Sequence, residues 1–158
     1  MALADDVSRI AGLDFASVTP QEFARLVKEL PDRAIAAIAR DGALRPRVLR
    51  EVFGRVERQF RPDAAGSLKA LIRWRITGSG GNEDAVYETE IADGACAVRE
   101  GRSDAEPRLT LVLADPEFLK LVSGNVGPVK LFMLRKVKVM GDIALAAGLT
   151  RYFDIPKA

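Results

Sequence analysis

The side chains that most often carry catalysis are scarce in this chain, and one is missing altogether: there is no His. Without imidazole, Ser-His-Asp and Cys-His nucleophile systems and His-based metal sites are excluded. Ser17, Ser67, Ser79, Ser103 and Ser123 therefore lack their usual base. Ser123-Gly124-Asn125 reads as a helix end, where Ser and Gly are good terminators. Two carboxylate pairs offer themselves for acid–base work, Glu83-Asp84 and Glu88 with Glu90. Such pairs need burial to pull their pKa values apart, and Glu88 and Glu90 share the strand face expected to meet solvent. Cys96 is the single cysteine, which excludes an internal disulfide and a zinc ribbon. Flanked by Ala95 and Ala97, it reads as a core thiol rather than a nucleophile. Gly78-Ser79-Gly80-Gly81 lacks the Lys-Ser/Thr ending of a phosphate loop and runs into acids, so it reads as a hairpin turn. No metal and no cofactor is implied. The catalytic alternative left open is an enzyme built on Asp, Glu, Arg or Tyr alone.

The elements that hold these residues follow from period and punctuation. The 158 residues are enough for one domain with an extension. Thr19-Pro20-Gln21-Glu22 has the form of a capping box with Pro at the first helical position, and Phe23, Leu26, Val27 and Leu30 follow on one face. Pro31 stops that helix; Asp32 caps a second, Arg33 to Arg40, which Gly42 ends. Pro46 opens a third, with Val48, Leu49, Val52, Phe53, Val56 and Phe60 on one stripe and Arg47, Arg50, Glu51, Arg55 and Arg58 opposite. The punctuated stretch 61–66 marks a boundary, and residues 1–62 read as a helical extension to a domain over 63–158.

Beyond the boundary the period changes to two. Leu68, Ala70, Ile72, Trp74 and Ile76 alternate with Lys69, Leu71, Arg73, Arg75 and Thr77. Ala85 to Ala92 is a second strand, and Asp93-Gly94 is a type I′ hairpin signal leading to a third, Ala95 to Glu100. Leu109 to Leu113 is a fourth. Short turns allow these four to pair in sequence. Asp115-Pro116 then reads as an N-cap followed by Pro, Gly124 closes that helix, and Pro128 to Leu134 forms a short apolar helical turn. Lys136-Val137-Lys138-Val139-Met140 is a fifth strand, and Gly141-Asp142 caps a last helix, Ile143 to about Arg151. Helices, four strands, helix, strand, helix is an α+β order.

The net charge of +2 is too small to imply nucleic acid, but its distribution is uneven. Arg40 to Arg61 carries +4, Lys130 to Lys138 holds four cations and no acid, and Glu83 to Glu106 carries −6. A basic face that meets anionic lipid or an acidic partner is one reading; ordinary solvated faces are the other. The opening Met1 to Asp6 is acidic where a secretory signal is basic, and the small-apolar run Ala34 to Ala39 is far short of a membrane span. The expected compartment is the cytoplasm, and Ile155-Pro156-Lys157-Ala158 is not a peroxisomal tripeptide.

Three segments together resemble the sterol-carrier-protein type-two family of lipid-binding proteins. They are Ile72-Arg73-Trp74-Arg75-Ile76-Thr77-Gly78; Ile91 to Val98 followed by Leu109-Thr110-Leu111; and Asp115 to Gly124, then Pro128 to Leu134, then Lys136 to Asp142. The resemblance spans about Ala64 to Phe153, and Phe15 to Pro62 is similar to the extension on stand-alone bacterial members. One departure is visible: the family usually has Gly before the Lys of its fifth strand, where this chain has Arg135 after Leu134.

The resemblance implies a five-stranded sheet with helices on one face enclosing an apolar tunnel, and no catalytic residues. It implies non-catalytic binding, with transfer, of a sterol, fatty acid, acyl-CoA or similar lipid. On this reading Trp74, Phe118, Val122, Phe132, Met133, Met140, Leu145 and Leu149 contact the ligand. Lys130, Arg135, Lys136 and Lys138 hold a headgroup or touch a membrane, and the last helix, bracketed by Gly141 and Gly148, is the lid. The partners expected are an apolar small molecule, a transient anionic membrane contact, and a second copy or an enzyme; nucleic acid is not among them. The alternative is an accessory module for a lipid or natural-product enzyme, its groove filled by core. A cavity above roughly 300 Å³ favours the carrier over the module.

Overall fold

The computed structural model describes residues 8–10, 12–14, 17–78 and 83–155. The opening acidic segment, Phe15, most of the turn after Gly78 and the last three residues lie outside them.

Residues 8–10 are helical, and three helices follow: α1 (Pro20–Glu29), α2 (Asp32–Arg40) and α3 (Leu44–Arg58). Thr19 caps α1 as its sequence predicts, its hydroxyl accepting from the Glu22 N–H at 3.1 Å. The start of α3 differs from expectation. Asp41 Oδ1 accepts from the N–H groups of Ala43 and Leu44 at 3.0 and 2.9 Å, so the helix begins ahead of Pro46. Those donors hold the Asp41 carboxyl below the usual carboxylate range, Leu44 contributing most. A single turn, α4 (Pro62–Ala65), leads into the sheet.

The strands are β1 (Ala70–Thr77), β2 (Ala85–Ala92), β3 (Ala95–Glu100), β4 (Leu109–Ala114) and β5 (Val137–Gly141), in spatial order β3-β2-β1-β4-β5. Asp93 and Gly94 have φ of 53° and 73°, the turn their types predict. Pairing in sequence stops there. β4 does not join β3; it lies parallel to β1, with Trp74 opposite Leu111, and the sheet is mixed. The connection from β3 to β4 therefore crosses the open face of the sheet. It covers a pair the alternation assigned to solvent: Arg73 and Glu88, 2.7 Å apart and both buried. Arg73 also donates to the carbonyls of Ser103 and Ala105, and Glu88 accepts from the Ser103 N–H. Burial alone would push the Glu88 carboxyl up, but the bonds from Ser103 and Arg73 together hold it below the ordinary value. Both charges are satisfied structurally, so this carboxylate is not a poised acid.

The other face carries Ile72, Trp74, Ile76, Tyr87, Ile91, Leu109, Leu111 and Leu113, all buried. The helices pack there, with α5 (Asp115–Val122), α6 (Pro128–Met133) and α7 (Ile143–Ala147) following β4 and β5. One hydrophobic core takes residues from the N-terminal helices, Phe23 to Val56, together with those of the sheet and the later helices. The expected last helix is interrupted: α7 stops at Gly148, and Leu149–Tyr152 is a turn of 3₁₀ helix. Asp142 caps α7 as predicted, accepting from the Leu145 N–H at 2.9 Å.

Two charged residues depart from their sequence roles. Asp115 is not the N-cap of α5; Ala114 is, and Asp115 occupies the first helical position. Its carboxylate instead accepts from Arg45 Nε at 3.1–3.2 Å, with both side chains buried. Arg45 also donates to the carbonyls of Glu83 and Ile76. One guanidinium thus ties α3 to α5 and to the ends of β1 and β2. Burial raises the Asp115 carboxyl above its ordinary value, with Arg45 opposing that shift. Arg55, expected on the exposed face of α3, is buried, donates to the Val18 carbonyl at 2.7 Å and lies over the Phe23 ring.

Candidate functional site: an apolar cavity under two short helices

The core-facing side of the sheet is filled unevenly. Near β1 and β2 the space is taken by rings. Phe53 of α3 stacks on Tyr87 at 4.0 Å and on Phe118 of α5 at 4.8 Å, and Trp74 meets Phe53 and Phe118 edge-on at 5.9 and 5.7 Å. The Trp74 indole donates to Thr89 Oγ1 at 3.0 Å, which fixes its orientation. Near β4 and β5 the fillers are smaller and a hollow of about 160 Å³ remains. The sheet lines it with Leu111, Val137 and Val139, and α5 with Leu121. Pro128, Val129, Leu131 and Phe132 of α6, and Ile143, Ala146 and Ala147 of α7, complete the wall. Every lining side chain is apolar, so any occupant is held by shape and exclusion from water.

Local sequence explains why α6 sits above a hollow. Pro128 starts it at its first position, and the helix is only six residues long. It ends in a Schellman pattern: the Lys136 N–H donates to Leu131 O and the Arg135 N–H to Phe132 O. That pattern requires a left-handed residue, and Arg135 adopts φ 59°. The position where the resemblance predicts Gly thus keeps a glycine conformation with an Arg side chain on it. Asp142 fixes the start of α7, and its carboxyl lies below the usual range, first through the Leu145 N–H and then through Arg108 at 2.9 Å.

The expected ligand residues separate into three groups. Phe132 lines the cavity. Trp74, Phe118, Val122, Leu145 and Leu149 are buried in the packed core and do not line it. Met133 and Met140 are exposed. Met140 falls on the open face of the sheet, because β5 alternates and its inward positions are Val137 and Val139. Alternation was the signal that identifies those two valines. Leu111, Leu121, Val129, Leu131, Ile143, Ala146 and Ala147 had no signal separating them from ordinary core. Of the four expected cations, Arg135, Lys136 and Lys138 border an open groove that shares Phe132, Val137 and Val139 with the cavity. Lys136 lies 3.8 Å from Glu117, and Lys130 is exposed on α6.

Cys96 and Ser123 do not line the cavity. Cys96 is partly buried on β3, and burial, helped by the Glu57 charge, pushes its thiol up to about 11. Ser123 donates to the Lys120 carbonyl and accepts from Asn125, as a helix terminator does. Among the described residues no cluster of three or more His, Cys, Asp or Glu could hold a metal ion, and no helix is long and apolar enough to cross a membrane.

With this geometry in view, the chain's relationships are clear. Residues 53–154 match the SCP-2 sterol transfer family, and the protein belongs to that family. Two curated relatives are peroxisomal multifunctional enzyme type 2 from Mus musculus, 27% identical over 101 residues, and sterol carrier protein 2 from Homo sapiens, 25% identical over 101 residues. Each match covers 62% of this chain, and the chain spans only 14% and 18% of those proteins. Among solved structures, palmitated SCP2L2 from Aedes aegypti superposes with a TM-score of 0.53 at 16% identity, over 68% of this chain and 95% of that one. The sec-alkylsulfatase Pisa1 from Pseudomonas sp. gives 0.54 at 14% identity, over 72% of this chain and 16% of that one. These likenesses establish the mixed five-stranded α+β fold. Family membership supports lipid binding or transfer as the general function, with an apolar small molecule as the partner.

Proposed function

We propose that the chain is a non-catalytic cytoplasmic carrier that takes an apolar chain into the cavity between β4, β5, α6 and α7. The observation that carries this reading is a hollow walled only by apolar side chains in a member of a lipid-transfer family. Each methylene moved from water into such a space gains about 0.8 kcal/mol. At about 160 Å³ the hollow falls below the ~300 Å³ of a pocket that encloses a whole small molecule. Binding therefore requires α6 and α7 to move outward, and both are one to two turns long. A flexible acyl chain suits this better than a rigid sterol, since it can enter by its end and open the space progressively.

The same volume favours a second reading, the accessory module with a filled groove, because a hollow this small is also compatible with ordinary packing. Native mass spectrometry of protein purified from a lipid-rich host, followed by organic extraction, separates the two. The carrier is expected to hold one apolar molecule per chain, lost in Phe132→Asp. A bare mass with no uptake of added palmitate overturns the carrier and leaves the module.

A further inference from the structure

We propose that the ring pair Trp74–Phe118, backed by Phe53, forms the inner stop of the cavity and sets the length of acyl chain it accepts. This deepens the carrier reading and rests on it. One row of core-facing side chains crosses the sheet from strand to strand. Tyr87 of β2 lies opposite Trp74 of β1, Trp74 opposite Leu111 of β4, and Leu111 opposite Val139 of β5. Leu111 and Val139 line the hollow, whereas Tyr87 and Trp74 belong to the ring cluster. The change from empty to full therefore falls between two adjacent strands, about 4.8 Å apart. Helix α5 repeats the boundary above the sheet. Leu121 lines the hollow, and Phe118, one turn earlier on the same side of the helix, stacks on Phe53.

The lining is exposed at Val129, Phe132 and Ile143, which mark the mouth, and buried at Leu111 and Leu121, on the side of the rings. Arg135, Lys136 and Lys138 border a groove that shares Phe132 with the mouth, and the lining itself offers no polar side chain. A carboxylate moved into that lining would lose its hydration with nothing to replace it. A fatty acid therefore enters methyl end first and leaves its headgroup outside, so its leading carbon travels toward Leu111 and Leu121. Helices α6 and α7 can yield to the chain, but the rings behind those leucines are fixed. Phe53 and Phe118 are fully buried, Trp74 meets Phe118 edge-on at 5.7 Å, and its indole is bonded to Thr89 at 3.0 Å. A core packed in this way resists added volume. Trp74 and Phe118 are thus positioning residues, acting through the two leucines they hold in place. Each methylene seated ahead of the stop raises affinity about fourfold. Methylenes in excess of that length stay at the mouth and add nothing.

The test is the affinity of the full chain for saturated fatty acids from octanoate to stearate, read by displacement of a fluorescent fatty acid. Affinity is expected to rise about fourfold per methylene to a break within the series and to stay flat beyond it. Phe118→Leu should move the break at least two carbons longer. Leu121→Phe, which advances the ring wall into the hollow, should move it at least two carbons shorter. Both should leave the slope before the break unchanged. A variant that only loosens the fold lowers affinity at every length and leaves the break in place, and that result overturns the stop. Leu121→Phe keeps the ring cluster intact, so it decides the question even where Phe118→Leu fails to unfold cooperatively. Affinity that climbs through stearate without a break, or a break that a folded variant leaves in place, overturns the stop and leaves the carrier standing. No binding at any length overturns the carrier, and the stop with it.

Discussion

One face of one sheet is packed in two different ways. Under α3 and α5, three aromatic rings pack around Phe53, which is fully buried. Under α6 and α7, valines, alanines and a proline leave a hollow, and two of the residues that wall it, Val129 and Phe132, face water on their other side. The solid half is also tied by a buried ion pair, Arg45 with Asp115, whereas the hollow half is roofed by helices of six and five residues. On the proposed function, stability and ligand access fall to different ends of the molecule. Rings and buried charges hold one end, and the short helices that the proposed function requires to move cover the other.

This division can be broken by substitution. The largest effect is expected for Phe118→Ala, which removes a buried ring from the aromatic cluster and should cost about 3–5 kcal/mol in chemical denaturation. A loss near zero would show that the aromatic half is not the rigid one. Arg45→Met should cost about 3 kcal/mol, because it strands the Asp115 carboxylate; Arg45→Met with Asp115→Leu should recover most of that loss. Arg135→Gly should stabilise the protein by about 1 kcal/mol, since it relieves a left-handed Arg at the end of α6. Destabilisation instead would mean that the Arg side chain holds the α6–β5 turn. Val129→Ala, at the half-exposed mouth, should change stability by less than about 0.5 kcal/mol, in contrast to any truncation in the ring cluster.

Much of the fold is readable from the chain because its causes are local. Period-two runs give β2 and β3 with their observed ends, Asp93-Gly94 gives their turn, and Thr19 and Asp142 give their helix starts. What the chain conceals is pairing between distant charges. Arg45 and Asp115 stand 70 residues apart, and no local pattern distinguishes them from a solvated Arg and a capping Asp. Glu88 is misread for the same reason: its cover is the crossover after β3, which exists only because β4 joins β1. The site divides along similar lines. Period two turns Trp74 to the core face, where it is buried, and Phe118, Leu145 and Leu149, expected as ligand contacts, are buried as well without lining the cavity; the sequence pattern does mark them as apolar. It carries no information on whether the space they point into is full. Ring size offers a guide: the large aromatics mark the filled end, and Ala146, Ala147, Val137 and Val139 mark the hollow one.

The central claim is that the hollow under α6 and α7 receives an apolar chain. Palmitate uptake by the wild-type chain and by Ala146→Phe, compared by native mass spectrometry, tests it most directly. Ala146 is buried and lines the hollow, so a ring placed there occupies the space from within. The account predicts one palmitate per wild-type chain and at least tenfold weaker uptake by a variant that still unfolds cooperatively. Equal uptake by both, or none by the wild type, would contradict it.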